Sequence, residues 1–232
     1  MKRTIQIGQP ELTVELRRSS RARRYSLRVS AVDGKISLTM PAGAREKAAL
    51  DFLHQHERWL RDKLAGQPEP VIPAIGESLP LRGKRHLLVA GTSRAPVIVG
   101  DEIHVPQTGK PLGPPLAAFL KLQARNDIVP LCDILAARVN RKVSRISLRD
   151  TRSRWGSCTE NGCLMFSWRL VMAPPEVLHY VVAHEVAHLV EMNHSPAFWR
   201  VVEQLDPDFQ TWRGWLRANG AQLHRYRLAV PS

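Results

Sequence analysis

Apolar and polar residues alternate over two early stretches, Leu12, Val14, Leu16 and then Tyr25, Leu27, Val29, with the period of two expected of half-buried strands. Asp33-Gly34 separates the second stretch from Ile36-Ser37-Leu38. An Asp-Gly pair between two such runs predicts a hairpin, because glycine takes positive φ freely. Pro41 and Gly43 close that hairpin. From Ala44 to Leu64 the spacing becomes helical, with Ala48, Ala49, Phe52, Leu53, Trp59 and Leu60 on one face and Gly66 as a stop.

Gln67 to Leu79 is broken by Pro68, Pro70, Pro73 and Gly76 and reads as a connector. Short apolar runs then recur up to Pro106: Leu87-Leu88-Val89, Val97-Ile98-Val99 and Ile103-His104-Val105. Gly91 and Gly100-Asp101 separate them, as befits a second set of strands. After the break at Pro111 to Pro115, residues 116–139 form a long amphipathic helix in which Pro130 predicts a kink or a split. Residues 144–170 return to strand character, turning at Glu160-Asn161-Gly162. Pro174-Pro175 opens a helix running to about Glu191, and two short helices follow, 196–205 and 207–218. The pattern is that of an α+β protein with two parts. Residues 1–111 form a β-rich N-terminal region with one helix, and residues 112–232 form a second domain.

The chain has 232 residues, 44% of them apolar and 24% charged, which is enough apolar material for a core and excludes a wholly disordered protein. No run reaches the roughly 18–20 apolar residues of a membrane helix. The charged opening Met1-Lys2-Arg3 lacks the apolar core of a secretory leader. Three cysteines, Cys132, Cys158 and Cys163, are too few for a disulfide framework, so the expected setting is cytoplasmic with no membrane partner. Charge is less ordinary. Lys plus Arg number 34 against 21 acids, a net charge of +13, which attracts polyanions or acidic proteins. Six arginines and no acid lie between Arg17 and Arg28. Seven basic residues and the single acid Asp150 lie between Arg138 and Arg154. If Arg17, Arg21 and Arg23 alternate along a strand, then with Arg18 and Arg24 they offer a stripe for a nucleic-acid backbone; a solvated face is the equal alternative.

The chemistry concentrates in His184-Glu185-Val186-Ala187-His188. Residues four apart on a helix share a face at about 5–6 Å, so two imidazoles can grip one cation while Glu185, a quarter-turn away, stays free as a base. The surrounding helix is apolar (Val177, Leu178, Val181, Val182, Val186, Leu189). Burying two histidines and a glutamate there is costly unless they are paired or bind metal. A third ligand must come from elsewhere. His194, six residues beyond His188 and past the expected helix end, is one candidate; Glu203 competes, and Asp206 and Asp208 are weaker.

Arg154-Trp155-Gly156-Ser157-Cys158, His184 to Leu189, Asn193-His194-Ser195 and Phe198-Trp199 together resemble the YgjP-like metallopeptidase family, which is related to the SprT-like proteases that digest DNA–protein crosslinks. The arginine-rich stretch Arg17 to Val29 and Ser37 to Pro41 also match, so the likeness covers nearly the whole chain. The resemblance implies a zincin-like second half with a small sheet packed on the metal-binding helix. It implies metal ligands His184, His188 and His194, catalytic Glu185, and hydrolysis of peptide bonds. Three imidazoles fit Zn²⁺ best, although Co²⁺, Ni²⁺ or Mn²⁺ could occupy such a set. The alternatives are a metal-dependent protease or binding protein acting on nucleic-acid-associated proteins, and a hydrolase of non-peptide amides or esters.

Around that centre several residues remain open. Tyr180, Tyr226, Arg152 and Arg154 are candidate oxyanion donors. The strand Cys163 to Leu170 is the expected partner of an extended peptide. Cys158 and Cys163 read as hairpin residues rather than a second metal pair. Trp155, Trp168, Trp199, Trp212 and Trp215 read as packing residues.

Overall fold

The computed structural model describes residues 3–30 and 33–228. The chain divides into two compact units, Met1–Glu69 and Pro70–Ser232. In the first, β1 (Arg3–Ile7), β2 (Leu12–Ser19), β3 (Ser26–Val29) and β4 (Ile36–Pro41) form a sheet of order β1-β2-β4-β3. The Asp-Gly hairpin is present, with β3 antiparallel to β4 and Gly34 at φ +68°. The single expected helix is two, α1 (Glu46–Gln55) and α2 (Glu57–Ala65), interrupted at His56, whose ring Nδ1 lies 2.9 Å from the Phe52 carbonyl. Val14, Leu38, Met40, Leu53 and Leu60 close a small core between sheet and helices.

The arginine stripe does not form. Strand β2 ends at Ser19, so Arg21, Arg23 and Arg24 fall in the turn beyond it and do not alternate along a strand. Arg18 donates to the carbonyls of Ala42 and Ala44 at 2.7 and 2.8 Å, and Arg17 pairs with Glu15 at 3.2 Å. Two of the five arginines are therefore engaged by their own unit.

The second unit begins earlier than residue 112. Its first sheet comprises β5 (Ser78–Leu81), β6 (Lys84–Gly91), β7 (Val97–Val99) and β8 (Glu102–Pro106), in the order β5-β6-β8-β7. Leu79, Leu81, Leu88, Ile103 and Val105 from this sheet share one continuous core with the following helices, so burial assigns it to the second unit. Helix α3 (Gly113–Arg138) passes through Pro130 without splitting, with that residue on its exposed side. Then come β9 (Arg145–Arg149), β10 (Gly156–Cys158), β11 (Cys163–Ser167), a 3-10 turn (Trp168–Met172), α4 (Pro175–Ala187), α5 (Pro196–Leu205) and α6 (Phe209–Leu223). No described helix is long and apolar enough to cross a membrane.

The turn between β5 and β6 rests on the start of α4. Arg82 and Gly83, both at positive φ, make a two-residue turn between β5 and β6. A Cβ at Gly83 would lie 3.0 Å from Pro174 Cα, so the turn's backbone rests on the residue that precedes the helix. Arg82 also forks onto Asp127 of α3 at 2.7 and 2.8 Å. At the far side, buried Arg169 forks onto Asp150 at 2.6 and 3.0 Å and donates to the Leu223 and Tyr226 carbonyls, tying the 3-10 turn to the end of α6.

His224, next to this tie, is buried against Trp155 with ring centroids 4.9 Å apart. Burial, with help from Arg169, pushes its pKa down to about 4. The unfolded chain, with an ordinary histidine near 6.5, then binds the proton that the folded chain refuses. The stabilisation is complete above pH 6.5 and lost as pH falls toward 4. Acidification from pH 7 to 4.5 is expected to cost roughly 1–2 kcal/mol through this group, allowing for partial solvent access. Urea unfolding of wild type and His224→Gln at both pH values measures it; an equal pH dependence in the two would assign the effect to other groups.

Candidate metal centre

Helix α4 carries His184 and Glu185, and ends just before His188, which adopts helical angles as its cap. The helix therefore stops short of the Glu191 that the sequence pattern predicts. Leu189, Val190 and Glu191 turn back instead, their N–H groups donating to the carbonyls of Val186 and Ala187. Asn193 Oδ1 accepts from Ser195 N at 3.0 Å, and Ser195 caps α5 by accepting from Phe198 N. This double turn returns His194 to the helix. One nitrogen from each of His184, His188 and His194 lies within 4.8 Å of the others.

Glu203 is exposed on α5, Asp206 is turned toward His179 at 3.3 Å, and Asp208 precedes α6; none joins the cluster. His184 Nε2 and His194 Nε2 face each other at 3.1 Å. Two imidazole lone pairs at that distance repel unless a proton or a cation lies between them, and ligands of a tetrahedral ion at about 2.0–2.1 Å would stand about 3.3 Å apart. His188 Nδ1 lies 3.0 Å from the Glu191 carbonyl, so it donates there and leaves Nε2 as the free donor. Burial, with the neighbouring imidazoles, pushes His184 down to about 3 and keeps it neutral, the protonation state a metal ligand needs. The donor set fits a divalent cation.

Aromatic rings hold His194 in place. Trp199 stacks on His194 at 5.8 Å and 25°, Phe198 stands edge-on to it at 4.8 Å, and the Arg213 guanidinium covers Trp199 at 4.6 Å. Trp199 is therefore a packing residue whose ring limits rotation of the one exposed histidine of the three.

Glu185 is 5% exposed, and burial pushes its carboxyl up to about 8 while the positive Arg154 pulls the other way. Its side chain lies against the backbone of Gly156 on β10. A Cβ there would overlap Oε1 and come within 2.6 Å of Cγ and 2.7 Å of Cδ. Gly156 is thus part of the site, which its place in the Arg154 to Cys158 motif did not reveal. No turn or hydropathy signal asks for glycine at that position; only the proximity of Glu185 does. Gly156→Val is expected to displace the carboxylate, keep the three histidines and lower turnover about 10²-fold. Metal stoichiometry alongside kinetics checks it, and full activity would mean that Glu185 tolerates displacement.

Of the oxyanion candidates, Tyr180 is buried one turn before His184 with ring centroids 6.0 Å apart, and Arg154 is exposed, with its charge felt at Glu185. Arg152 is exposed on the sheet side, and Tyr226 bridges to Val71 in the core. The strand expected to receive a peptide, residues 163–170, cannot do so. Strand β11 is central, parallel to β9 on one side and antiparallel to β10 on the other, and residues 168–172 are a 3-10 turn. Both its edges are already paired. The edge strand next to Glu185 is β10. Cys158 and Cys163 are free thiols of that hairpin and share no metal-ligand cluster among the described residues.

The sequence model of the YgjP-like family, described as a YgjP-like metallopeptidase domain, matches residues 23–219. No curated protein matches the chain. Among solved structures, the metallopeptidase zymogen of Pyrococcus abyssi abylysin is similar at 18% identity, over 40% of this chain and 93% of that one, with a TM-score of 0.37, a likeness too slight to establish a common fold.

Proposed function

Since the chain belongs to the YgjP-like metallopeptidase family, whose model spans residues 23–219, we propose that it is a zinc-dependent peptidase with ligands His184, His188 and His194 and with Glu185 as general base. The observation that carries this reading is the convergence of three imidazole nitrogens next to one buried carboxylate. A divalent cation held there supplies Lewis acidity, polarising the scissile carbonyl and acidifying a water. Three neutral nitrogen donors favour zinc over the oxygen-seeking Mg²⁺ and Ca²⁺.

Glu185 handles one proton: its carboxylate oxygen takes it from the attacking water and returns it to the departing amine. Burial raises this carboxyl to about 8, and the charge of Arg154 opposes that shift, toward the ionised form that the first of these transfers needs. Tyr180, whose ring centroid lies 6.0 Å from that of His184, is the candidate donor to the developing oxyanion. The unpaired side of β10 aligns the peptide by strand addition, a role that the paired β11 cannot fill.

Cleavage of a proteome-derived peptide library, with and without a chelator and with zinc added back, tests the proposal. Cleavage abolished by chelation and restored by zinc is the expected result. Cleavage indifferent to the chelator would remove the metal from the reaction.

A further inference from the structure

Strand alternation gives the β10-β11-β9 sheet two unlike faces. On β9, Ile146 and Leu148 pack on the core, while Arg145, Ser147 and Arg149 point the other way. On β10, Gly156 meets Glu185, while Ser157 lies on the opposite face. That outer face is concave, a groove of about 510 Å³ lined by Arg145, Arg149, Arg152 and Arg154, with five hydroxyl side chains and no carboxylate. The acid between them in sequence, Asp150, is turned to Arg169 and accepts from its Nε and Nη2. Among the described residues, Arg145, Arg149 and Arg154 form no ion pair. The groove thus gathers much of the basic run noted between Arg138 and Arg154.

A set of guanidinium forks and hydroxyls with no carboxylate among them binds oxyanions, and carboxylates bidentately. Its position says which. The groove flanks the edge strand whose other face touches the general base, so a peptide paired to β10 would send every second side chain toward the arginines. The groove is lined by no aromatic ring on which a nucleobase could stack.

We propose that this groove is a specificity surface for acidic protein segments, selecting substrates with Glu or Asp at alternate positions beside the scissile bond. The inference rests on the peptidase reading above and names its substrate class. The basic residues also steer such segments in from solution, so recognition weakens with added salt.

The test uses full-length Glu185→Gln protein and a fluorescent peptide with glutamates at alternate positions, compared with its glutamine twin. The acidic peptide is expected to bind about tenfold tighter at low salt, as two exposed charge-assisted contacts allow. Arg145→Ser/Arg149→Ser should abolish that discrimination; both residues are exposed, and thermal unfolding verifies the fold. In active wild type the acidic twin should show the lower KM. Equal affinity for the twins overturns the proposal, as does discrimination that survives the double substitution. A single-stranded oligonucleotide that outcompetes the acidic peptide and is weakened by the same substitutions would reassign the groove to nucleic acid. Wild type that cleaves neither peptide with metal present counts against the peptidase reading instead, and the binding comparison still decides the groove.

Discussion

Glu185→Gln protein is expected to bind its metal as wild type does and to lose hydrolysis by 10²–10⁴-fold, about what a positioned general base contributes. Glutamine matches glutamate in shape, so the contact with Gly156 and the packing of α4 survive while the proton acceptor disappears. Metal analysis beside steady-state kinetics separates the two effects. Retained turnover would leave the mechanism without its base; lost metal would make Glu185 a ligand, which its position off the histidine cluster opposes.

The second large effect is expected at His194. Helix α4 supplies two donors whatever the loop does, and two imidazoles hold a divalent ion far more weakly than three. His194→Ala should therefore lower metal affinity by at least about 10²-fold, beyond the loss from mutating a residue that only orients a ligand. Because His194 is exposed on a turn, the metal-free fold should persist. Wild type should gain thermal stability with added zinc, since an ion that binds only the folded chain stabilises it by mass action, and the variant should lose most of that gain. Isothermal titration and melting curves with and without zinc read both, and unchanged affinity would place the third donor elsewhere.

Much of this is legible from residue order alone. The Asp33-Gly34 hairpin, the apolar helix bearing His184 and His188, and the α+β class all follow from short-range periodicity and turn chemistry, which act through neighbours in sequence. What escapes depends on contacts between distant segments. The strands at 78–106 belong with the second unit because their leucines join the same buried core as the residues of α3 and α4, a fact that no local window contains. Strand β1 at Arg3–Ile7 has too little alternation to announce itself and exists through pairing with β2. The arginines after Arg18 have the spacing of a strand face, but β2 stops at Ser19. The centrality of β11 likewise follows from its parallel partner β9, which pairing order reveals and hydropathy does not.

The turn at Arg82-Gly83 has a mechanical consequence for the metal centre. A glycine in the left-handed region presents bare main chain to Pro174, and Pro174 has a fixed ring. Neither partner owns a rotamer to exchange, so the origin of α4 is indexed by two stiff surfaces, as a shaft is by a dowel. His184 and the capping His188 thereby inherit a fixed datum, and the adjustable part of the proposed chelate is left to the single ring borne on the loop.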